Sequence, residues 1–243
     1  MDSVIEVSDL VARYGAGQDD ALHRLSFRVR RGEVFGFLGH NGAGKSTTIK
    51  SILGLLTPFG GKVLLHGLPA SDPRSRRRIG FMPEEATYYR YLTPDELLGF
   101  YGELFGMSRG DRRRRTAALL GLVGLSAVHN KPLSTFSKGM VQKLSLAQAL
   151  INDPDTLILD EPTTGLDPLA KKQMREILAE LRAGGKTVFF SSHELSEVET
   201  VCDTILILKK GRVLCSGPLK EILRCQGGRS LEQYFLETME AAR

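Results

Sequence analysis

Residues 34–46 read VFGFLGHNGAGKS, and this stretch decides the fold. Its first part, Val34–Leu38, is apolar apart from one glycine and ends at Gly39, as expected for a strand buried in a parallel sheet. From Ser46 to Leu56 the pattern predicts a helix that Thr57-Pro58 stops. A strand, a glycine-rich loop and a helix in this order indicate a layered α/β fold.

The loop matches the pattern of a phosphate-binding P-loop in full. Its glycines let backbone N–H groups point at phosphates, and the N-terminus of the following helix adds partial positive charge. In such a loop Lys45 reaches the β- and γ-phosphates, and Ser46 offers its hydroxyl to Mg²⁺. A glycine turn without a ligand is the alternative, which the strand–loop–helix context disfavours. The predicted phosphate-binding residues are Gly39, His40, Asn41, Gly42, Ala43, Gly44, Lys45, Ser46 and Thr47.

Two adjacent acids follow a second apolar run, Leu157–Leu159. A P-loop needs a metal carboxylate at the end of a neighbouring strand, and Asp160 supplies one. Glu161 follows it, and a carboxylate beside a polyphosphate can orient a water molecule and accept its proton. Alone, the pair could be ordinary turn acids before Pro162. Together with the P-loop it predicts a site that hydrolyses a phosphate anhydride.

Further strands and helices alternate along the chain, which again indicates an α/β sheet. Leu25, Phe27 and Val29 alternate with polar residues, as in a half-buried strand. The remaining predicted strands are Ile5–Leu10, Val63–Leu65, Ile79–Met82, Thr187–Phe190, Ile205–Leu208 and Arg212–Leu214, the last two forming a hairpin. A helix is predicted over Pro168–Arg182, with proline at its start and glycines past its end.

The middle of the chain has few β-branched residues and many Leu, Ala, Glu and Arg, which predicts a helical insert over about 84–149. The α/β core then comprises 1–83 and 150–217. A short helical tail is predicted over 218–243, with helical patterns at Leu219–Arg224 and Leu231–Met239.

Composition limits where in the cell the protein can act and which partners it can bind. The 243 residues carry a formal net charge of +5, so nucleic acid or anionic lipid is permitted as a partner but not required. No apolar run approaches the roughly 20 residues that a bilayer crossing needs, and residues 1–3 do not begin a signal peptide. We therefore expect a cytoplasmic protein that reaches the membrane only through a partner.

The P-loop, the Asp160-Glu161 pair and further motifs along the chain stand in the order found in one protein family. From about Val4 to Pro218 the sequence resembles the nucleotide-binding subunits of ABC transporters. Phe136–Gln142 resembles the signature segment, Thr164–Asp167 the D-loop, and Ser191–Glu194 the switch-histidine segment. Tyr14 stands where the family has its adenine-stacking aromatic residue, and Met82–Glu84 stands at the Q-loop.

The resemblance implies a P-loop NTPase fold of the RecA-like type, with an antiparallel β subdomain and an inserted helical subdomain. It also implies an ATPase in which two copies, or one copy and a homologous subunit, enclose ATP and Mg²⁺ head to tail. Ser137 and Gly139 of one copy then meet the nucleotide held by Lys45, Ser46 and Asp160 of the other. In the same arrangement Glu161 polarises the attacking water, His193 contacts the γ-phosphate, and Asp167 links the two sites.

The implied partners are separately encoded transmembrane permease subunits, which hold the protein at the cytoplasmic face of the membrane. Two departures from the family pattern bear on this. Lys138 and Met140 replace the usual Gly and Gln of the signature, and this variant resembles the branch that serves ABC-2-type exporters. Glu84 replaces the usual Q-loop Gln; it can still bind Mg²⁺ or water, but it adds negative charge near the γ-phosphate.

Two other functions remain open. One is an ATP-driven clamp on nucleic acid outside transport, although the chain has one P-loop and no heptad run. The other is a module that holds nucleotide without hydrolysis, against which the Asp160-Glu161 pair argues. The arginine runs 74–78 and 112–115 lack interleaved aromatic residues, so no nucleic acid is expected. The aromatic segment 85–105 serves either the core or a groove for a permease helix.

Overall fold

The structure is a computed structural model that describes residues 2–13, 20–225, 231–233 and 235. Its strands are β1 Ser3–Ala12, β2 Leu22–Arg30, β3 Val34–Leu38, β4 Gly60–Leu65, β5 Leu68–Pro69, β6 Ile79–Met82, β7 Thr156–Leu159, β8 Thr187–Ser192, β9 Thr204–Lys209 and β10 Arg212–Pro218. Its helices are α1 Lys45–Ile52, α2 Pro94–Leu104, α3 Arg109–Leu122, α4 Lys138–Ala149, α5 Pro168–Ala183, α6 Leu195–Val201 and α7 Leu219–Cys225.

The larger sheet has the order β10-β9-β3-β8-β7-β6 and is parallel from β9 to β6. Strands β3, β7 and β8 are buried at every position, which explains their nearly continuous apolar sequences. The register pairs Leu38 with Ser192 and Leu159 with both Met82 and Phe190. The segments that follow β3, β6, β7 and β8 therefore leave the sheet at the same edge.

The smaller sheet has the order β2-β1-β4-β5 and is antiparallel. Along β2 buried and exposed residues alternate, as the sequence predicted. Phe27 of β2 lies 5.6 Å from Phe35 and from Phe37 of β3, between ring centroids. The two sheets thus share an aromatic core, and the predicted α/β fold with an antiparallel β subdomain is confirmed.

Residues 84–149 contain the helices α2, α3 and α4, short 3₁₀ turns and no strand. Each helix begins at a hydroxyl side chain that accepts a backbone N–H from its first turn, namely Thr93, Ser108 and Ser137. This helical segment matches the predicted insert in content. Its limits as a domain, and those of the core and tail, stay predictions.

Helix α1 is shorter than predicted, because it ends at Ile52 rather than Leu56. Gly54 has a φ of 67°, in the left-handed region where a helix cannot continue. The N–H groups of Leu55 and Leu56 then turn back to the carbonyl of Lys50. The chain leaves the helix before the proline that was expected to stop it.

The tail begins with α7, close to the predicted Leu219–Arg224. Of the second predicted helix, 231–233 and 235 are described and helical, and the rest lies outside the described residues. Leu231 and Phe235 are buried in the core on the side of the larger sheet that carries α5 and α6. No helix in the described part of the chain is long and apolar enough to cross a membrane.

Candidate functional site

A cavity of about 480 Å³ lies where β3, β6 and β7 end. It brings together most of the predicted phosphate-binding residues with two acids from distant parts of the chain. The predicted site residues in its lining are His40, Asn41, Gly42, Gly44, Lys45, Ser46, Thr47, Glu84 and Glu161.

Three glycines shape the loop around the cavity. A Cβ on Gly39 would lie 2.7 Å from the carbonyl oxygen of Leu208, so the loop passes too close to β9 for a larger residue. Gly44 has a φ of 110° and forms the N-cap of α1. Gly42 has a φ of 79°, and a Cβ there would meet nothing within 4 Å, so only its backbone conformation requires glycine.

Lys45 opens α1 and is buried, with 7% of its surface exposed. Its Nζ donates to the carbonyl oxygen of Gly39 at 2.7 Å and lies 3.1 Å from Oε1 of Glu161. The ammonium group is thus held between the P-loop backbone and a carboxylate from the end of β7. A buried charge is tolerated only when it is paired in this way.

Asp160 is buried at the end of β7, and its Oδ1 accepts the hydroxyl of Ser191 at 2.6 Å. Burial raises the pKa of Asp160, although hydrogen bonds from Ser191 and Ser46 oppose the rise, and the neighbouring Glu161 charge adds to it. The charge of Lys45 also opposes the rise, but burial outweighs it. An oxygen ligand in this state favours a bound cation.

Glu161 is 4% exposed and has a φ of 51°, an unusual conformation for a residue other than glycine. Its Oε2 lies 2.7 Å from Nδ1 of His193 and accepts the hydroxyl of Thr164 at 2.9 Å. Burial opposes ionisation of Glu161, but Lys45, Thr164 and His193 outweigh it and lower its pKa. At neutral pH this carboxylate is ionised and can accept a proton.

Of the described residues predicted to contact the nucleotide, Gly39 and Ala43 of the loop itself and the more distant Ser137, Gly139 and Asp167 do not line the cavity. Ser137 and Asp167 cap α4 and α5 through their side chains. Gly139 lies in the first turn of α4 and is half-buried. A Cβ on Gly165 would lie 2.2 Å from Nζ of Lys138, so the signature and D-loop segments touch each other. Tyr14 lies outside the described residues.

Several contacts at the site involve residues that sequence reasoning did not select. Ser191 binds Asp160 and also accepts the backbone N–H of Glu161 at 2.9 Å. Gln142 of α4 donates to the carbonyl oxygen of Glu84 at 3.0 Å and so joins the signature helix to the Q-loop position. The Phe235 ring lies 5.0 Å from the His40 ring, between centroids. Ser191 and Gln142 had a sequence signal, because they lie in the switch-histidine and signature segments, whereas Phe235 had none.

These residues fit a magnesium–nucleotide complex. The glycine loop leaves room at Gly42, Lys45 places one positive charge beside it, and Ser46 and Asp160 offer oxygen ligands. Hard oxygen donors from one hydroxyl and one carboxylate are the set that Mg²⁺ takes beside phosphates. Fold and site together define a P-loop nucleotide-binding protein.

Comparison with known proteins narrows this class, because residues 22–164 match the family model described as ABC transporter. The chain belongs to the ABC transporter family. It is 37% identical, with a TM-score of 0.87, to a solved ATP-binding subunit of an ABC transporter, covering 98% of this chain and 100% of that one. An ATP-binding cassette solved as a dimer with ADP and Pi is 26% identical, with a TM-score of 0.80, over 88% of this chain and 98% of that one.

Similar sequences include ATP-binding proteins of several transporters. An uncharacterized ABC transporter ATP-binding protein of Synechocystis is 45% identical, over 91% of this chain but only 64% of its own length. A Nod factor export ATP-binding protein of Ralstonia nicotianae is 36% identical over 99% of this chain and 75% of its own. A linearmycin resistance ATP-binding protein of Bacillus subtilis is 36% identical over 93% and 73%. The chain thus spans about two thirds to three quarters of these relatives.

Proposed function

We propose that this chain binds and hydrolyses ATP to drive an ABC transporter, of the ABC-2 exporter type. The observation that carries the proposal is the contact chain from the buried Lys45 through the buried Glu161 to the exposed His193. It combines a phosphate-binding cation with an ionised carboxylate and a histidine at one sheet edge. The Nod factor export relative and the Lys138–Met140 signature variant support the direction of transport.

In this function the P-loop backbone and Lys45 bind the β- and γ-phosphates of ATP. Ser46 and Asp160, with Glu84 beside them, are the proposed ligands of Mg²⁺, which would neutralise phosphate charge when bound. Glu161 orients a water molecule whose oxygen bonds to the γ-phosphorus while the bond to the bridging oxygen of ADP breaks. The water proton passes to the Glu161 carboxylate, and His193 contacts the γ-phosphate.

ATP also competes with an internal contact, since Lys45 already pairs with Glu161 at 3.1 Å. A γ-phosphate that draws Lys45 toward itself frees the Glu161 carboxylate to accept the water proton. Binding and activation of the base are therefore coupled through one ammonium group. Such positioning and charge stabilisation carry most of phosphoryl-transfer catalysis.

Replacing Glu161 by Gln tests the catalytic assignment. We expect ATP hydrolysis, measured as phosphate release, to fall at least about 100-fold, because the amide cannot accept a proton. ATP affinity, measured by titration, should be retained. The matched control is Glu194→Gln, which removes a neighbouring carboxylate that pairs with Lys171 instead. Unchanged turnover in Glu161→Gln would refute the role of Glu161 as base.

A closed dimer completes the proposed site, because Ser137, Gly139 and Asp167 do not line the cavity of their own chain. Ser137 and Asp167 are exposed, and the signature and D-loop segments that carry them touch each other. Both residues are therefore accessible to a second copy or to a homologous subunit. Glu161→Gln in the presence of ATP should accumulate this dimer, which light scattering would detect. The similar cassette that was solved as a dimer supports the formation of a dimer.

An exposed aromatic surface supports a membrane partner. Tyr89 and Tyr91 stack at 5.6 Å between ring centroids while 70% and 74% exposed. In the same helical segment, Phe105 and Tyr101 line a groove of about 370 Å³ together with Phe81 of β6. Aromatic side chains are enriched where proteins bind partners. We propose that a cytoplasmic helix of the permease docks here and holds the chain at the membrane.

Changing both Tyr89 and Tyr91 to Ser tests this surface. The double variant should lose the multispanning protein that co-purifies with the native chain from gently solubilised membranes, while its ATP affinity is unchanged. Leu55→Ser, which alters a residue 68% exposed outside the helical segment, is the control. Retention of the partner by the double variant would rule the surface out, and recovery of nucleic acid instead would favour the clamp function.

A further inference from the structure

A second cavity, of about 700 Å³, lies between α2 and α3 and shares no lining residue with the nucleotide cavity. Its wall from α3 carries Arg109, Arg112 and Arg113, and His129 and Asp95 line the opposite side. Cavities of this size are typical of sites for small organic ligands. The proposed function of the protein makes no use of it.

The positive charge in this cavity is only partly compensated. Arg112 is held by Glu103 and by the carbonyl oxygen of Gly99, and the Asp95 carboxylate lies 2.6 Å from Nδ1 of His129. Among the described residues, the side chains of Arg109 and Arg113 find neither an ion-pair partner nor a hydrogen-bond partner. They are one helical turn apart, so both guanidinium groups can reach the same ligand.

An unsatisfied polar group lies on the same wall. Thr116 lines the cavity and is 5% exposed, and its Oγ1 has no hydrogen-bond partner among the described residues. Buried hydroxyl groups in proteins are normally hydrogen-bonded, so an orphaned one indicates a missing partner. Ala117 and Leu120 continue the wall with apolar surface. The cavity thus offers two exposed guanidinium groups without partners and an apolar floor, with the buried, unpartnered Thr116 hydroxyl on the same wall.

We propose that this cavity binds an organic phosphate monoester, with its phosphate on Arg109 and Arg113 and its carbon skeleton over Ala117 and Leu120. Two free guanidinium groups match a phosphate monoester, which carries between about −1.5 and −2 charges at neutral pH, better than a single carboxylate. The Thr116 hydroxyl can serve the ligand as donor or acceptor. The same group is carried by soluble metabolites and by the lipid phosphatidic acid.

The test measures binding of glycerol 3-phosphate to the full chain by calorimetry. We expect the double variant Arg109→Gln/Arg113→Gln to bind at least about tenfold more weakly and Thr116→Val to bind several-fold more weakly. Arg114→Gln is the matched control, because Arg114 pairs with Asp111 and does not line the cavity. It should bind like the native chain. Lys45→Ala should also leave the affinity unchanged, which separates this site from the P-loop.

A second measurement identifies the source of the phosphate. Vesicles containing phosphatidic acid are compared with vesicles of equal charge made with phosphatidylglycerol, whose phosphate is a diester. Stronger binding to phosphatidic acid that the Arg109/Arg113 variant loses indicates a lipid ligand, and binding of glycerol 3-phosphate alone indicates a soluble one. The proposal is overturned by failure of both probes to bind. Equal weakening in Arg114→Gln, or loss of binding in Lys45→Ala only, overturns it as well.

Discussion

At the scale of single residues, two adjacent carboxyl groups have opposite electrostatic environments. Asp160 and Glu161 are both buried, but Glu161 faces Lys45 and His193, whereas Asp160 faces hydroxyl groups and the charge of Glu161 itself. Burial raises the pKa of Asp160 and the Glu161 charge adds to the rise, while the hydroxyl groups and Lys45 oppose it. For Glu161, the contacts with Lys45, Thr164 and His193 outweigh burial and lower the pKa. The Asp160 carboxyl group is suited to binding a cation, and the Glu161 carboxyl group is ionised at neutral pH. These properties agree with the roles proposed for the two residues.

The pH dependence of folding stability should differ in sign between these two groups. Asp160 has a folded pKa above its ordinary 3.8, so its ionised form destabilises the fold at neutral pH, and the penalty fades as the pH falls through the folded pKa. We expect Asp160→Asn to raise the free energy of unfolding at pH 7 in the absence of nucleotide. The gain should shrink as the pH approaches 4. Urea denaturation measures it, and a loss of stability at pH 7 would contradict the assignment.

Glu161→Gln provides the opposite control. The folded pKa of Glu161 is lowered from 4.5, so this group contributes stability above pH 4.5 that is lost as the pH falls through the folded pKa. The variant should be less stable than the native chain at pH 7, because Lys45 keeps its buried charge without a partner. That difference should also shrink on acidification. Equal pH profiles for the two variants would show that neither environment is as described.

At the scale of elements, the sequence predicted the strands and helices that carry the site, and missed where α1 ends. Apolar residues continue past Ile52 at Leu53, Leu55 and Leu56, so the sequence pattern predicts a helix that runs on to the proline. The structure ends it at Ile52, two residues before Gly54, where a Cβ would lie 2.3 Å from the carbonyl oxygen of Ala70. The close approach of the segment that contains Ala70 cannot be predicted from the sequence around Gly54.

Two glycine substitutions distinguish the need for a left-handed backbone conformation from the need for space at the Cβ position. Gly54 and Gly67 have φ values of 67° and 79°, but a Cβ on Gly67 would meet nothing within 4 Å. We expect Gly67→Ala to lower the free energy of unfolding by about 1 kcal/mol, from the left-handed conformation alone. Gly54→Ala should lower it by about 2–4 kcal/mol, because strain and backbone overlap add. Equal losses in denaturant titrations would show that space does not matter at Gly54.

At the scale of the whole molecule, aromatic packing holds the two sheets together. Phe35 and Phe189 stack at 5.7 Å between centroids, and Phe27 of the smaller sheet lies 6.1 Å from Phe189. The same buried cluster includes Ile49 and Ile52 of α1, the helix that begins at the P-loop lysine. The position of the P-loop therefore depends on the packing of this aromatic core as well as on β3, the strand that precedes the loop.

Truncation of this core should destabilise the entire fold. Phe189 is fully buried, and Phe189→Ala should lower the free energy of unfolding by about 3–5 kcal/mol, since it removes a large side chain and leaves a cavity. Phe100→Ala is the matched control, because Phe100 is 56% exposed, and it should change stability by no more than about 0.5 kcal/mol. Chemical denaturation measures both values, and a small loss for Phe189→Ala would show that the sheets are joined elsewhere.

The sequence by itself determined the P-loop, the acids after β7 and the order of strands and helices, because these depend on residues that are near each other in the chain. Only the tertiary structure decided which side chains meet. Ser191 reaches Asp160 across 31 residues of sequence, and Lys45 reaches Glu161, because the parallel register brings the ends of separate strands to one edge. The cavity lined by Arg109, Arg112 and Arg113 likewise arises where α2 and α3 pack together, and the arginine run 112–115 alone did not indicate a cavity.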